Sequence, residues 1–237
     1  MPNWRKGIQG PQRKYVPKGK RKAAVKRKGK RQNFPGGRTY PFMRTTDELL
    51  ALENPSASGA SDWIQTVDDS VVKTFVFALN ELPSHGEFTN LFGEYKLNMA
   101  ILKMFPSYSS IVSTDAAVVS NNILITVWPN RTGTALSSAF TREDLDQIQR
   151  KRTWLLPINR PTTIKMPLNQ LDARYGGGAN VTDYMVARPK YCSTTETSTP
   201  HYGFNVHITK VDKSAFTSNS VRLLCKEKIY LTCRQVK

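Results

Sequence analysis

No acidic residue occurs before Asp47, yet fifteen lysines and arginines do, and this asymmetry decides how much of the chain can fold. The cations are Arg5, Lys6, Arg13, Lys14, Lys18, Lys20, Arg21, Lys22, Lys26, Arg27, Lys28, Lys30, Arg31, Arg38 and Arg44. Like charges at that density repel one another, and the few apolar groups among them cannot offset the entropy of ordering the backbone. Prolines 2, 11, 17, 35 and 41 and glycines 7, 10, 19, 29, 36 and 37 interrupt any helix. Residues 1–45 are therefore expected to be a disordered polycationic arm, and residues 46–237 the folded domain. The formal net charge of +17 sits almost wholly in the arm, because the rest holds 20 of the 35 basic residues and all 18 acids.

The folded part is long enough for one sandwich or barrel. No run approaches the roughly 18 apolar residues of a membrane span, so no membrane insertion is expected. No secretory signal is seen, and the three cysteines, Cys192, Cys225 and Cys233, are read as free thiols. Without a secretory route, Asn130-Arg-Thr132 and Asn180-Val-Thr182 are chance matches to the glycosylation pattern.

Beyond the arm, Thr45–Glu53 reads as a short helix with a threonine cap and early acids, stopped by Asn54-Pro55. Ser56–Ser61 reads as a linker. Then the period changes to two. Val71–Leu79 puts Val71, Phe75, Phe77 and Leu79 on one face, with Lys73 among them. Tyr95–Phe105 puts Tyr95, Leu97, Met99, Ile101, Lys103 and Phe105 opposite Lys96, Asn98, Ala100, Leu102 and Met104. Ile123–Trp128, Phe204–Thr209 and Val221–Cys233 alternate likewise, the last presenting Val221, Leu223, Cys225, Ile229, Leu231 and Cys233 together. Arg160–Pro167 reads as an edge strand and Arg142–Lys151 as a helix capped by Thr141. Leu168–Asp183, with its glycine triplet at 176–178, and Cys192–Pro200 read as long loops. About eight strands joined by long polar loops predict an all-β, eight-stranded jelly-roll sandwich with one or two short helices.

Cations spaced along a flexible chain neutralise phosphates and release counterions, giving sequence-tolerant and salt-sensitive binding. Interleaved Trp4, Tyr15, Phe34 and Tyr40 suit stacking on unpaired bases. Lys18, Lys20, Arg21, Lys22, Lys26, Arg27, Lys28, Lys30 and Arg31 also have the form of nuclear-import signals, implying the host import machinery as a partner. Catalytic chemistry is poorly supported. Cys192 and His201 are a conceivable nucleophile pair without a surrounding signature. His85, His201 and His207 are too isolated for a zinc site. Asp68-Asp69 reads as a solvated turn rather than a cation site, and the glycine triplet lacks the Lys-Ser/Thr of a phosphate loop. No metal, cofactor or enzymatic activity is expected. Trp128, Trp154 and Tyr202 are candidates for exposed subunit contacts.

An acid-free basic N-terminus before about 190 residues of strands and loops resembles the capsid proteins of the circovirus-like group, small circular single-stranded DNA viruses. The segment Phe92-Gly-Glu-Tyr95 through Lys103-Met-Phe-Pro106 looks like that family's aromatic-x-x-Tyr strand ending in proline. Ile123–Pro129 with the helix after it, and Arg152–Pro167 with its Arg-Pro step, are similar in order and character. The resemblance implies a self-assembling icosahedral shell of about sixty copies, arms inward on a single-stranded DNA genome, found in the virion and the host nucleus, with an unidentified host receptor. A small RNA-virus or satellite capsid, or a cellular nucleic-acid-binding β-sandwich, remains open on the residues alone.

Overall fold

The computed structural model describes residues 38–55, 62–107, 123–156, 160–174, 183–216 and 222–237. The arm cations before Arg38, the Ser56–Ser61 linker and the glycine triplet lie outside them.

The first described element is a strand, β1 (Tyr40–Ala51), where a helix was expected from Thr45. The fold thus takes in residues 40–45, which composition assigned to the arm. The two-residue period is present: Tyr40, Phe42, Arg44, Thr46, Glu48 and Leu50 are the less exposed positions. Two charges on that face hide it in the sequence. Each is tolerated because it is partnered, Arg44 by Glu87 at 2.8 Å and Glu48 by Lys73 at 3.1 Å. Twelve backbone positions pair with the last strand, and that ladder outweighs the local helix preference.

The short β2 (Ile64–Gln65) leads to β3 (Val71–Phe77). Leu79 follows in a 3-10 turn rather than in the strand. Helix α1 (His85–Leu91), which has no clear signal in the sequence, precedes β4 (Phe92–Ser107) and β5 (Ile123–Pro129). Helix α2 (Arg142–Gln147) is capped by Thr141 as expected but ends earlier, and Lys151 reaches back to donate to the Leu145 carbonyl. Then come β6 (Arg152–Leu155), β7 (Thr162–Pro167), β8 (Gln170–Arg174), β9 (Asp183–Ala187), β10 (Cys192–Ser193), β11 (His201–Lys210) and β12 (Arg222–Val236). The segment read as one long loop, 168–183, holds β8, which pairs with β9 as a hairpin.

Apart from the β8–β9 hairpin, the described strands form two sheets that enclose the core. One runs β1-β12-β4, with β7 and β10 both on the free edge of β4, whose length accommodates two partners. The other runs β2-β3-β11-β5-β6. Setting aside β2, β10 and the β8–β9 hairpin, eight strands remain, and in chain order they lie 1-8-3-6 and 2-7-4-5. That is a jelly roll. Between the sheets pack Leu50, Trp63, Phe75, Tyr95, Leu97, Leu102, Met104, Ile125, Met166, Val206 and Leu231, among others.

One residue changes the reading of β4. The pairing with β12 steps from Tyr230–Met99 to Leu231–Leu97, so Asn98 is an extra residue, a bulge. Before it Tyr95 and Leu97 face the core; after it Ala100, Leu102 and Met104 do. Met99, Ile101, Lys103 and Phe105, expected on the Tyr95 face, therefore lie on the outer face. The Asn98 amide donates to Thr232 Oγ1 at 2.7 Å, which holds the bulge.

Candidate nucleic-acid interface

The structure places two of the fifteen arm cations. Arg38 is exposed just before β1. Arg44 is part of the domain: it donates to Glu87 and to the Pro83 carbonyl, with its guanidinium 4.5 Å from the Phe88 ring centroid. Its charge fastens β1 to α1, a structural role not legible in the run of arm cations.

The second sheet's outer face is covered over β3, β11 and β5, while β6 leaves Thr153 and Leu155 exposed. The connection between β5 and β6 forms the cover: Phe140 stacks on Trp128 at 5.7 Å and meets His207 at 6.2 Å, and the Leu136 amide donates to Thr74 Oγ1. Arg142 fastens this cover, donating to the Asp68 carbonyl, Thr209 Oγ1 and the Lys213 carbonyl, while Asp68 Oδ2 accepts from its amide. Asp68 is thereby an intramolecular anchor, and Asp69 takes the left-handed conformation of a tight turn. Trp128, expected at the surface, is only 6% exposed for the same reason. Trp154 and Tyr202 are half-buried. His207 is buried without a partner for Nδ1, and burial, with Arg142 nearby, lowers its pKa to about 4.

The first sheet presents its outer face openly, in cross-strand rows. Leu49, Leu224 and Phe105 form one; Asp47, Lys226, Lys103 and Thr163 the next; Thr45, Lys228, Ile101 and Lys165 the third; and Met43, Tyr230, Met99 and Pro167 the fourth. Met43 is 44% and Leu49 43% exposed, and Lys165 is exposed. Asp47 pairs with Lys226 at 3.1 Å and is the acid of these rows. Among the described residues, Lys103, Lys165 and Lys228 form no ion pair. Alternation in β12 and β7 makes part of this face legible, but the bulge conceals the β4 contribution.

Inside the molecule, Lys73 and Glu227 meet between the sheets. Lys73 Nζ lies 3.1 Å from Glu48, 3.6 Å from Glu227 and 3.8 Å from Asp62. Burial opposes its charge, but the surrounding carboxylates prevail and hold its pKa above the usual 10.5.

Cys192 and His201 are brought together, with Gln170 between them. Its amide nitrogen lies 3.0 Å from both Cys192 Sγ and His201 Nε2, and its oxygen accepts from the Lys190 amide. Burial raises the Cys192 thiol and lowers His201, so both favour their neutral forms and the thiol is not activated. No group of three or more metal-ligating side chains exists among the described residues.

A family profile described as circovirus capsid protein matches residues 12–237. The fold is similar to a solved 60-mer BFDV capsid protein, at 14% identity and a TM-score of 0.54, covering 85% of this chain and 96% of that one. A decameric form of the BFDV capsid protein gives 14% identity and a TM-score of 0.48, covering 84% of this chain and 100% of that one. No curated protein matches the sequence.

Proposed function

The chain belongs to the circovirus capsid protein family, and from that premise we propose that it closes a small icosahedral shell of about sixty copies and packages a single-stranded DNA genome through its N-terminal arm. As a capsid protein it is a structural component of the virion, not an enzyme. The observation that carries the packaging role is the segregation of charge: fifteen cations and no acid precede Asp47, on a nearly neutral remainder. Nearly neutral domains meet without strong mutual repulsion, while the arms hold phosphates by a contact that needs no particular sequence. The similar BFDV protein crystallised as a 60-mer, which supports the copy number. In this reading the packaging arm is taken to stop short of β1, which starts at Tyr40, and Arg44 is left out of the packaging set. The clusters Lys18–Lys22 and Lys26–Arg31 are further assigned to import into the host nucleus.

The test is deletion of residues 1–37, which removes every arm cation except Arg38 and Arg44. Shells should still be visible by electron microscopy but carry little nucleic acid, and undiminished content would refute the role of the arm. Packaged material that resists DNase and yields to RNase would refute the DNA assignment. Residues 1–37 fused to a reporter protein should concentrate it in nuclei, and a diffuse reporter would refute import.

A further inference from the structure

The outer face of the first sheet holds cations at close quarters with, among the described residues, no acid to neutralise most of them. Lys103 stands directly opposite Lys226, and Lys228 lies one row away with Lys165 across Ile101. Like charges directly opposite on neighbouring strands destabilise a sheet. Asp47 answers only Lys226. The bulge at Asn98 is what turns Lys103, Ile101, Met99 and Phe105 outward and assembles the patch. A buried-core explanation does not apply, since Met43, Leu49 and Leu224 on the same face are 44%, 43% and 37% exposed.

Two kinds of group alternate by row. Lysines occupy the middle rows, and rings stand beyond them, Tyr230 on one side and Phe105 on the other. Cations beside half-exposed rings on an open strand surface suit single-stranded nucleic acid, whose phosphates take the charge and whose bases stack. The other sheet's outer face is covered over β3, β11 and β5 by the connection that carries Phe140 and Arg142, and its open part on β6 carries Thr153 and Leu155 rather than lysines. The strand that continues directly from the arm, β1, belongs to the open sheet.

From this juxtaposition we infer that the outer face of β1-β12-β4-β7 is a second nucleic-acid-binding surface, in which Lys103, Lys165, Lys226 and Lys228 hold phosphates and Tyr230 and Phe105 stack on bases. It rests on the reading of the protein as a packager of single-stranded DNA, and adds a fixed platform to the arm. A strand drawn in by the arms is then laid across the sheet, and the repulsion between Lys103 and Lys226 is relieved when a phosphate lies between them.

The experiment uses the full-length protein, arm intact, and oligothymidylate as the probe. Lys103→Gln, Lys165→Gln and Lys228→Gln together should make the plot of log affinity against log salt shallower by about 2, at roughly 0.7 per lost phosphate contact. Tyr230→Ala should weaken binding about fivefold or more at every salt concentration. In parallel, ultraviolet cross-linking of the unmodified protein on the same probe, read by mass spectrometry, should find bases attached to Tyr230 or Phe105. Cross-links confined to residues 1–37 with an unchanged slope would overturn the second surface and leave the arm's role standing. Cross-links on the sheet face alone would support the surface and refute the arm. If the triple variant fails to fold, the cross-links on the unmodified chain decide.

Discussion

Replacing Lys73 by methionine tests how the two sheets are joined. The Lys73 side chain is 9% exposed and Glu227 14%, with nitrogen–oxygen distances of 3.6 Å to Glu227 and 3.1 Å to Glu48. Methionine fills much the same volume but removes the cation, leaving two carboxylates between the sheets. Breaking a buried pair in this way costs about 3–5 kcal/mol, mostly through the charge left uncompensated. For a domain of this size that corresponds to a fall in Tm of about 6–20 °C. The pH dependence supplies a second criterion. Burial pushes the Glu227 carboxyl above its ordinary 4.5, and Lys73 pulls it back. Without Lys73 it rises further. An acid whose folded pKa is raised keeps its contribution to stability below the unfolded pKa and loses it as pH climbs through the folded one. The deficit should therefore be largest at pH 7 and shrink as the pH falls toward 4.5. Thermal unfolding followed by circular dichroism, with variant and parent compared at each pH, measures it. Comparison at equal pH cancels other titrations. A Tm within about 2 °C of the parent at pH 7, or an equal deficit at pH 7 and 5, would refute the account.

His207 acts in the opposite direction. Its pKa is lowered to about 4, so folding excludes its proton, and stability should fall by about 3 kcal/mol as pH drops from 6.5 through 4; in His207→Gln this part of the pH–stability curve should flatten, and an unchanged slope would contradict it. Burial pushes Cys225 up to about 12 and Cys233 up to about 11, and raises Cys192. Iodoacetamide at pH 7.5 should accordingly label the native protein slowly and all three thiols rapidly after denaturation, and fast native labelling of Cys225 or Cys233 would refute their burial. Arg44→Ala loses the Glu87 pair and the Phe88 contact; since Glu87 is 63% exposed, the expected cost is about 1 kcal/mol, a Tm fall of roughly 2–4 °C. A loss of DNA binding with Tm unchanged would instead return Arg44 to the arm.

The strands legible in the sequence are those whose alternation is unbroken. Leu223, Cys225, Ile229, Leu231 and Cys233 all face the core as read, and Thr162–Pro167 forms the expected edge strand. β1 was hidden because Arg44 and Glu48 occupy inward positions and their partners, Glu87 and Lys73, are distant in sequence. β11 reads as half-buried yet is buried on both faces, Asn205, His207 and Thr209 included, because the connection carrying Phe140 packs over it. Of the candidate sites, the arm is a matter of composition and needs no fold to be seen. The Cys192–His201 pair is also visible, but only the structure interposes Gln170 and shows the thiol unactivated.

Charge segregation and the two-residue period thus determined, from the sequence alone, that a cationic arm precedes a strand-rich sandwich. Both are local properties, set by neighbours in the chain. The tertiary structure decided which face each strand shows. A single extra residue, Asn98, reverses the pleat, and whether it is accommodated depends on Thr232 and the ladder of β12, more than a hundred residues away. Through that reversal Lys103 came to lie beside Lys226 on the open face of the sheet, an arrangement that composition and periodicity do not contain.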